Sequence, residues 1–438
     1  MKIAIIGSGI SGLAVAHRLQ GRADITLLEA GDYFGGHTHT VDVTLPTARG
    51  PVTHGVDTGF LVFNERTYPG LIALFERLGV ATTQSDMSFS VQVPGARWGG
   101  PLEWNGSTLN TVFAQRSNLL NPRFIRMLRE VLRFNQLATG IAERNQDAEL
   151  VQPLAAFLLQ HGFSSEFRDW YFLPMLGCIW SCPTDQMLQF PVATMIRFCH
   201  NHGLIQVNNR PQWWTVVGGA RNYVEKIVAG IADKRLNTPV KRVVRTARGV
   251  LVSTAQGTET FDRVVMACHS DQSLALLGDA SAAERSTLGA IGYQPNRAVL
   301  HTDTSVLPRN RRAWAAWNYE RAADASQESS RVCLHYLLNK LQPLPFAQSV
   351  VVSLNPVQEI DPSRVLGSYE YAHPVFDLRA IRAQSRVADL QGLYQTYYCG
   401  AWTGYGFHED GLQSGLDVAY RIECELDQGA QPAQRMAA

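Results

Sequence analysis

The sequence lacks an excess of charge of either sign. Its 438 residues include 39 lysines and arginines against 38 aspartates and glutamates, a formal net charge of +1. No overall field therefore attracts the chain to nucleic acid, and we expect no nucleic-acid partner. Charged residues make up 18%, against about 25% in typical globular domains, while hydrophobic residues reach 45%. This composition predicts a globular chain, and its length predicts two or three domains of roughly 150 residues each.

Paired cysteines are missing as well. The seven cysteines stand at positions 178, 182, 199, 268, 333, 399 and 424, and they include no Cys-x-x-Cys pair. This spacing indicates neither a disulfide framework nor a zinc site, so we expect no metal.

Long apolar runs are also missing. The apolar segment Met1–Ile6 is followed at once by glycine, without the apolar core and cleavage site of a signal peptide. Residues 172–196 form the longest weakly charged stretch, but they contain Asp185 and three prolines. They are unsuited to a membrane-spanning helix, which needs about 20 apolar residues. We therefore expect a cytoplasmic protein.

The sequence does contain a glycine-rich turn near its start. Lys2–Ile6 has the apolar pattern of a strand, and Gly7–Gly12 follows it directly as G-x-G-x-x-G. A helical pattern and a second strand, Asp24–Leu28, complete a βαβ unit that ends in Glu29. The first glycine allows a tight turn, the second lets the backbone approach a pyrophosphate, and the third allows close helix packing. The unit predicts a dinucleotide site in which Glu29 binds a ribose hydroxyl pair.

A second glycine pair, Gly35-Gly36, precedes His37 shortly after this acid. In large flavoproteins such a pair brings more backbone to the pyrophosphate and flavin, which favours FAD. His37 and His39 have side chains that can bind a metal, but no third ligand residue stands at a suitable spacing in the sequence. The sequence contains no second G-x-G-x-x-G next to a predicted strand, so nothing indicates a separate nicotinamide domain. We therefore expect electrons to enter from the substrate.

Further segments carry a family resemblance. They are Val56–Phe60, Asn64–Pro69, Arg210–Trp213, Gly218-Gly219 and Gly400–Gly415. Together with the glycine-rich turn they resemble the flavin-containing amine oxidase superfamily, which also holds enzymes that oxidise carotenoids and protoporphyrinogen. Within it, the sequence is most similar to bacterial NAD/FAD-binding, amine oxidase-like flavoproteins that are associated with cyclopropane fatty acid synthase-type methyltransferases.

The resemblance implies an α/β fold. A Rossmann-like FAD-binding domain of the glutathione reductase and amine oxidase type is expected beside an α+β substrate domain. We expect the FAD-binding domain to be discontinuous, at 1–80, 210–275 and 390–430, with the substrate domain at 81–209 and 276–389. Residues 431–438 are expected to form a tail.

The resemblance also implies where FAD binds. From Tyr398 onward it implies a strand, a glycine-rich turn and a helix that begins near Asp410 and Gly411, with its first N–H groups facing the flavin. Residues 238–243 resemble the part that covers the adenine. The implied cofactor-binding residues are Gly7, Gly9, Ser11, Gly12, Glu29, Ala30, Gly36, His37, Thr58, Gly59, Val240, Gly400, Trp402, Phe407, His408, Glu409, Asp410, Gly411 and Leu412.

Aromatic residues are expected around the substrate. Phe407 stands where amine oxidases commonly carry tyrosine, and Tyr371 is the candidate for the opposite wall of an aromatic cage. Such a cage suits an amine or an apolar chain. The middle third of the sequence is rich in aromatic and sulfur-containing residues, which form either a core or the wall of a cavity for a large apolar substrate.

Candidates for proton transfer are His373 and His408, because imidazole titrates near neutrality. A structural hydrogen-bonding role stays open for each of them. Many amine oxidases keep a lysine near the flavin, but the matching positions here hold Asn296 and Arg297. This departure weakens the resemblance to amine oxidases proper.

Residues 122–134 predict a basic amphipathic helix. Its arginines share one helical stripe, and they are Arg123, Arg126, Arg129 and Arg133. Such a helix suits peripheral contact with the inner face of an anionic membrane, and a solvated surface helix is the alternative.

The sequence therefore predicts an FAD-dependent oxidoreductase, either an oxidase, a dehydrogenase or a desaturase. The expected substrate is apolar and lipid-derived, with hydride transfer to the flavin, as in desaturation of a modified fatty acyl chain. The alternatives are an amine oxidase acting on a primary amine or polyamine, a flavin-dependent isomerase, and a catalytically silent FAD-bound scaffold. Oligomeric state, electron acceptor and covalent attachment of the flavin stay open.

Overall fold

The computed structural model of the chain describes residues 1–97, 100–144, 152–206, 210–322 and 332–430, and the predicted tail at 431–438 lies outside these ranges. The strands of the described residues are β1 (Lys2–Ile6), β2 (Asp24–Leu28), β3 (Thr40–Thr47), β4 (Gly50–Asp57), β5 (Phe63–Asn64), β6 (Thr82–Ser85), β7 (Phe89–Arg97), β8 (Gly100–Asn105), β9 (Trp213–Val216), β10 (Asp233–Arg235), β11 (Arg242–Thr246), β12 (Gly249–Ser253), β13 (Thr258–Phe261), β14 (Arg263–Met266), β15 (Gly292–His301), β16 (Trp317–Glu320), β17 (Cys333–Leu337), β18 (Val351–Leu354), β19 (Val365–Val375) and β20 (Thr396–Tyr398).

The helices connect these strands. They are α1 (Ile10–Leu19), α2 (Pro69–Leu78), α3 (Leu109–Val112), α4 (Pro122–Glu143), α5 (Leu154–Gln160), α6 (Ser165–Phe167), α7 (Leu173–Trp180), α8 (Thr184–Met187), α9 (Val192–Asn201), α10 (Arg221–Ala229), α11 (Ser270–Leu276), α12 (Ala282–Leu288), α13 (Leu338–Leu341), α14 (Leu378–Gln384) and α15 (His408–Ala430). Single turns lie between them, including a π-helical turn at Arg168–Phe172 and a 3₁₀ turn at Ala401–Thr403.

A five-stranded parallel sheet holds the start of the chain. Its strand order is β10-β2-β1-β14-β20, so it gathers three distant stretches of sequence. Alternate side chains of β1 enter different cores, because Ile3 and Ile5 face one apolar cluster while Ala4 and Ile6 face another. This burial on both faces is typical of parallel sheets with elements packed on each side. The expected α/β fold is confirmed.

A seven-stranded mixed sheet forms the second layer system. Its order is β19-β15-β18-β17-β16-β7-β8, and all neighbours are antiparallel except β16 and β7. One face contributes Leu300, Leu334 and Val352 to the largest core, where residues of the middle third, such as Phe172, are buried. Smaller sheets are β11-β12-β13, β5-β9-β6 and the hairpin β3-β4.

The basic helix predicted at 122–134 is the first part of α4. On its apolar side Phe124, Met127 and Phe134 are fully buried in the largest core, whereas Leu132 is 54% exposed. The four arginines of its stripe are exposed. None of the helices in the described ranges combines the length and apolar character that a membrane-spanning helix needs.

Candidate active site

The glycine-rich turn joins β1 to α1. Gly7 has a φ of +103°, and a Cβ there would lie 2.8 Å from the carbonyl oxygen of Ala267. A Cβ on Gly12 would lie 2.0 Å from the carbonyl oxygen of Gly7. Both positions therefore require glycine. Gly9 differs, because its φ is an ordinary −63° and the space around its missing Cβ is open.

Helix α1 begins without a side-chain cap. Gly9 is its N-cap residue, and the first turn contains no acidic side chain. The first N–H groups and the positive end of the helix dipole therefore attract an anion. Close by, the Glu29 carboxylate at the end of β2 accepts hydrogen bonds from the backbone N–H and the hydroxyl of Ser8, at 2.9 and 2.6 Å. This arrangement suits a pyrophosphate next to a ribose.

A cavity of about 670 Å³ opens beside this turn. Its nucleotide end is lined by the turn, Glu29 and Val240, and its apolar end by side chains such as Phe198, Trp213 and Tyr336. The predicted site residues that line it are Gly7, Gly9, Ser11, Glu29, Ala30, Gly36, His37, Gly59, Val240, His373, Gly400, Trp402, Phe407 and His408. The predicted site residues outside its lining are Gly12, Thr58, Tyr371, Glu409, Asp410, Gly411 and Leu412.

Two of these carboxylates cap helices instead of facing the cavity. Glu409 accepts hydrogen bonds from the backbone N–H groups of Gly70 and Leu71, at 2.8 and 2.9 Å, and so caps α2. Asp410 accepts one from the N–H of Phe407 at 2.9 Å. Helix α15 begins at His408, two residues before the predicted start. Helix capping engages both carboxylates, so a cofactor contact by Glu409 or Asp410 would be made by the backbone N–H groups of the helix start, as the resemblance implies, and it stays a prediction.

Other predicted contacts are packing positions. A Cβ on Gly411 would lie 2.8 Å from Cγ2 of Ile10, so this glycine lets α15 approach α1. Leu412 is 1% exposed and belongs to the core beneath the parallel sheet. Gly12 shapes the turn without facing the cavity. These residues pack behind the glycine-rich turn and the start of α1.

Tyr371 does not form the wall of a cage with Phe407. Its hydroxyl lies 2.7 Å from the hydroxyl of Thr58 and 3.0 Å from Nδ1 of His39, in a network behind the cavity wall. Phe407 instead stacks on Phe198, with ring centroids 4.8 Å apart. The expected two-ring cage is therefore corrected, because the hydrogen bonds of Tyr371 turn it away from the cavity.

His408 belongs to a buried hydroxyl network. Its Nε2 lies 2.9 Å from the hydroxyls of both Thr38 and Tyr223, and its ring stacks on Phe60 at 3.8 Å. Burial, with a contribution from nearby His37, lowers the pKa of His408 to about 3. The imidazole is neutral at neutral pH, and its ring nitrogen is engaged by two partners.

His373 is held by Asn296. The amide nitrogen of Asn296 donates to Nδ1 of His373 at 2.9 Å, while Asn355 donates to the amide oxygen of Asn296. Nδ1 is thus an acceptor, so the neutral imidazole of His373 carries its proton on Nε2. Burial, then the neighbouring His37, lowers the pKa of His373 to about 3. Of the two positions matched to the family lysine, Asn296 faces inward, and Arg297 is exposed.

Sequence reasoning missed two histidines of the cavity lining. His269 follows β14 and stacks on Tyr293 with ring centroids 4.4 Å apart. His202 lies at the apolar end, where its Nδ1 is 3.0 Å from the carbonyl oxygen of Phe198. Burial lowers the pKa of both to about 4. The position of His269 at the carboxyl end of a parallel strand was a usable signal, whereas nothing local marked His202.

A parallel sheet with this turn at its carboxyl edge, and a cavity that begins at the turn, define a dinucleotide-binding protein. Residues 10–423 match the family model described as flavin containing amine oxidoreductase, and the chain belongs to this family. The predicted FAD-dependent oxidoreductase is thereby confirmed, and FAD is the cofactor of the family.

Similar proteins agree with this assignment. Cyclohexylamine oxidase from Brevibacterium oxydans IH-35A superposes with a TM-score of 0.68 at 16% identity, over 97% of this chain and 99% of that chain. A CLA-producing fatty acid isomerase from P. acnes superposes with a TM-score of 0.65 at 16% identity, over 96% and 98%. A probable polyamine oxidase 4 of Arabidopsis thaliana is 26% identical over 263 residues, which is 59% of this chain and 48% of that protein. The match spans about half the length of the plant protein, and the structural likenesses show the fold alone.

The residues present fit FAD. The uncapped start of α1 and the open backbone at Gly9 would hold the pyrophosphate, and the Glu29 carboxylate would hold a ribose. At the cavity, Nε2 of His37 is buried and has no hydrogen-bond partner among the described residues. When bound, FAD accepts an electron pair from a substrate.

Proposed function

We propose that the chain oxidises an apolar, lipid-derived substrate, with desaturation of a modified fatty acyl chain as the reaction. The observation that carries the proposal is the absence of charge at the apolar end of the cavity. Among the described residues of the lining, Glu29 has the one formally charged side chain, and it lies at the nucleotide end. Burial keeps the five histidines of the lining neutral at neutral pH, since it lowers the pKa of each to about 3 or 4.

An acyl chain suits this end better than an amine does. An amine is an ammonium ion at neutral pH, and burying it unpaired costs several kcal/mol. No carboxylate at the apolar end, within the described lining, offsets that cost. The aromatic faces of Phe407 and Trp213 would return only about 2 kcal/mol. Each buried methylene of an acyl chain contributes about 0.8 kcal/mol instead.

We infer that His202 accepts the substrate proton. Its Nδ1 donates to the carbonyl oxygen of Phe198, which leaves Nε2 as the acceptor nitrogen of the neutral ring. His373 has the opposite arrangement, because Asn296 donates to its Nδ1. In that tautomer the Nε2–H of His373 is free to donate a hydrogen bond to the substrate and so to position it in the cavity.

The test is the visible spectrum of the purified flavoprotein under anaerobic conditions. Bacterial phospholipid extract is added to one sample and a polyamine mixture to another. We expect lipid to bleach the flavin and amines to leave it oxidised. A His202→Asn variant should bind FAD normally but reduce it more slowly, by about 100-fold or more for loss of a general base.

Three results would overturn the proposal. Bleaching by amines alone would make the chain an amine oxidase, as the names of two of its relatives suggest. A changed lipid with no net electron acceptor consumed would make it an isomerase, as the P. acnes protein is named. If neither mixture reduces the flavin and neither mixture is chemically changed, the chain would be a catalytically silent FAD-bound scaffold. His200→Asn is the matched control, because His200 lies on α9 outside the described cavity lining.

We also propose peripheral membrane contact at the start of α4. The arginine stripe is exposed, and Leu119 and Leu120, just before the helix, are 54% and 89% exposed. Because most of the apolar face of α4 is packed inward, we attribute the membrane contact to these leucines and to the positive charge of the arginine stripe. Cosedimentation with anionic vesicles should fall for the Arg129→Glu, Leu120→Ser double variant and not for Arg248→Glu, an exposed arginine on the β11-β12 turn. Equal binding by all three proteins would contradict this proposal.

A further inference from the structure

A row of buried polar side chains crosses the seven-stranded sheet. Glu320 ends β16, Cys333 and His335 lie on β17, and Ser353 lies on β18, with exposed fractions of 7%, 3%, 0% and 0%. Successive strand residues face opposite sides of a sheet, so His335 faces away from Tyr336, which lines the cavity. The row is therefore separate from the candidate active site. Around it lies an apolar cluster made of Val299, Val306, Leu307, Leu337, Val351 and Ile360.

Three metal-binding atoms converge in this row. Oε2 of Glu320 lies 2.9 Å from Nε2 of His335, and Sγ of Cys333 lies 3.5 Å from that nitrogen and 3.8 Å from that oxygen. A tetrahedral zinc ion with bonds of about 2.3 Å to sulfur and about 2.0 Å to nitrogen and oxygen sets its ligands about 3.3–3.6 Å apart. The observed separations lie within about 0.4 Å of this range. Backbone register brings the atoms together, because Glu320 pairs with Cys333 across the hairpin.

We propose that Glu320, Cys333 and His335 bind a divalent cation of the zinc class. The mixed thiolate, imidazole and carboxylate set matches borderline-soft metals such as Zn²⁺ and Co²⁺, not Mg²⁺ or Ca²⁺. This inference stands independently of the proposed substrate. Sequence spacing could not indicate it, because the carboxylate comes from a different strand and no standard zinc motif is present.

Charge supports the assignment. Metal binding would release the thiol proton of Cys333, and His335 would bind the ion through Nε2 with its ring proton on Nδ1. The thiolate and the Glu320 carboxylate then carry two negative charges, which neutralise the dication. A buried site with no net charge avoids the large desolvation cost of an isolated ion. Without metal, the partners of the Glu320 carboxylate are His335, the Cys333 thiol and Gln358, whose amide nitrogen lies 3.4 Å from Oε1.

The surroundings of His335 suit a ligand histidine. Its Nδ1 lies 2.7 Å from the hydroxyl of Ser353, which in turn lies 2.7 Å from Nε2 of His301. Nδ1 of His301 accepts the backbone N–H of Asp303 at 3.1 Å, which fixes the ring. A metal-bound imidazole usually donates its second N–H to such a partner, which orients the ring and raises its basicity. Ser353 is fully buried, so the same row does not serve as a hydrolytic nucleophile.

The experiment measures metal directly. The flavoprotein is expressed in medium supplemented with Zn²⁺ or with Co²⁺, dialysed, and analysed for metal per chain by mass spectrometry. We expect about one ion per chain, and in the cobalt protein a thiolate-to-cobalt charge-transfer band in the near ultraviolet. This band is read on the unaltered chain, so the test does not depend on a variant that folds.

Variants then locate the ion. Cys333→Ser should abolish the charge-transfer band, and Ser353→Ala should weaken metal retention by about 10–100-fold while the band remains. Cys199→Ser is the matched control, a fully buried cysteine outside the cluster, and should retain the metal. An unaltered protein without stoichiometric metal would overturn the proposal. A cobalt spectrum without the thiolate band, or one unchanged by Cys333→Ser, would do the same.

Discussion

At the scale of single residues, the cavity is distinguished by histidines that stay neutral. Burial lowers the pKa of His37, His202 and His269 to about 4 and that of His373 and His408 to about 3. Before any proton transfer each ring is thereby a neutral hydrogen-bonding group at neutral pH, and the cavity can hold an apolar chain without a competing charge. The ordinary titration of imidazole near neutrality, which motivated His373 and His408 as proton carriers, does not hold inside this cavity.

These pKa values predict loss of stability in mild acid. An imidazole whose pKa falls on folding binds its proton more readily in the unfolded chain, so the free energy of unfolding should drop as pH falls from about 6.5 towards 4. Each unit of pKa difference contributes about 1.4 kcal/mol. Burial raises the pKa of Asp57 and Asp410 to about 6, which acts in the opposite direction, but burial also lowers the pKa of His17, His39 and His301, which adds to the loss in acid.

Urea unfolding at pH 7, 6 and 5 measures this slope. His202→Phe keeps the stack on Phe198. It should reduce the change of unfolding free energy with pH by the contribution of His202. His200→Phe, outside the described cavity lining, is the control and should leave the slope almost unchanged. A midpoint that does not move between pH 7 and 5 would contradict the expectation.

Two glycines of one turn should respond differently to alanine. At Gly12 the new Cβ would overlap the carbonyl oxygen of Gly7, so Gly12→Ala should cost about 1–3 kcal/mol of stability. At Gly9 the methyl group enters open space with an ordinary φ, so Gly9→Ala should leave the apoprotein stable within about 1 kcal/mol. The same methyl group would occupy the approach to the start of α1.

We therefore expect Gly9→Ala to weaken FAD binding by about tenfold or more, which is about 1.4 kcal/mol. Flavin fluorescence after dialysis measures the retention, and thermal unfolding of the apoprotein measures the stability. Tight FAD binding by Gly9→Ala would show that the cofactor does not approach the backbone there.

At the scale of elements, α15 connects two helix starts. It begins beside the cavity, and the Glu409 carboxylate in its first turn caps α2. Because two charge-assisted hydrogen bonds are lost, Glu409→Ala should destabilise the protein by about 2–3 kcal/mol. Glu409→Gln, which retains one acceptor oxygen, should cost less. Both variants should retain FAD, and a loss of flavin without a loss of stability would restore Glu409 as a cofactor ligand.

What could be predicted from the sequence follows the range of the interactions. The strand, turn and helix at Gly7–Gly12 depend on neighbours in the chain, and the local pattern was sufficient for them. The orientation of Tyr371 depends on Thr58 and His39, which lie more than 300 residues away in the chain. The cluster of Glu320 and His335 depends on strand register. Such contacts are set by packing, so no local pattern reports them.

At the scale of the whole molecule, one buried ion pair links distant parts. Arg245 on β11 binds Glu284 on α12 through two hydrogen bonds of 2.8 and 2.9 Å, and Tyr398 on β20 donates to the same carboxylate. Side-chain exposure is 5% for the arginine and 2% for the glutamate. Loss of the Glu284 charge leaves Arg245 with Asp279 as its remaining carboxylate partner, 2.7 Å from Nε and 34% exposed. The cost is therefore below the about 3–5 kcal/mol that is typical when a buried charge loses its one partner.

Glu284→Gln should therefore destabilise the protein by about 2–3 kcal/mol in urea unfolding, because charge-assisted hydrogen bonds to Arg245 and Tyr398 are weakened. The control is Asp86→Asn, which breaks the exposed pair with Lys340 and should cost about 1 kcal/mol or less. Equal effects of the two variants would mean that the buried pair does not hold the β11-β12-β13 sheet against β20.

The order in which the sheet is assembled has a consequence for biosynthesis. Strand β20 pairs with β14, and Gly400–His408 supply a wall of the cavity that begins at Gly7. A chain still on the ribosome has its glycine-rich turn long before it has this wall. Domains fold as units during synthesis once all their parts have emerged. Here the parts are complete only after residue 408 has emerged, so we expect the flavin to load after that point, and a chain truncated before Thr396 would leave an open edge on β14.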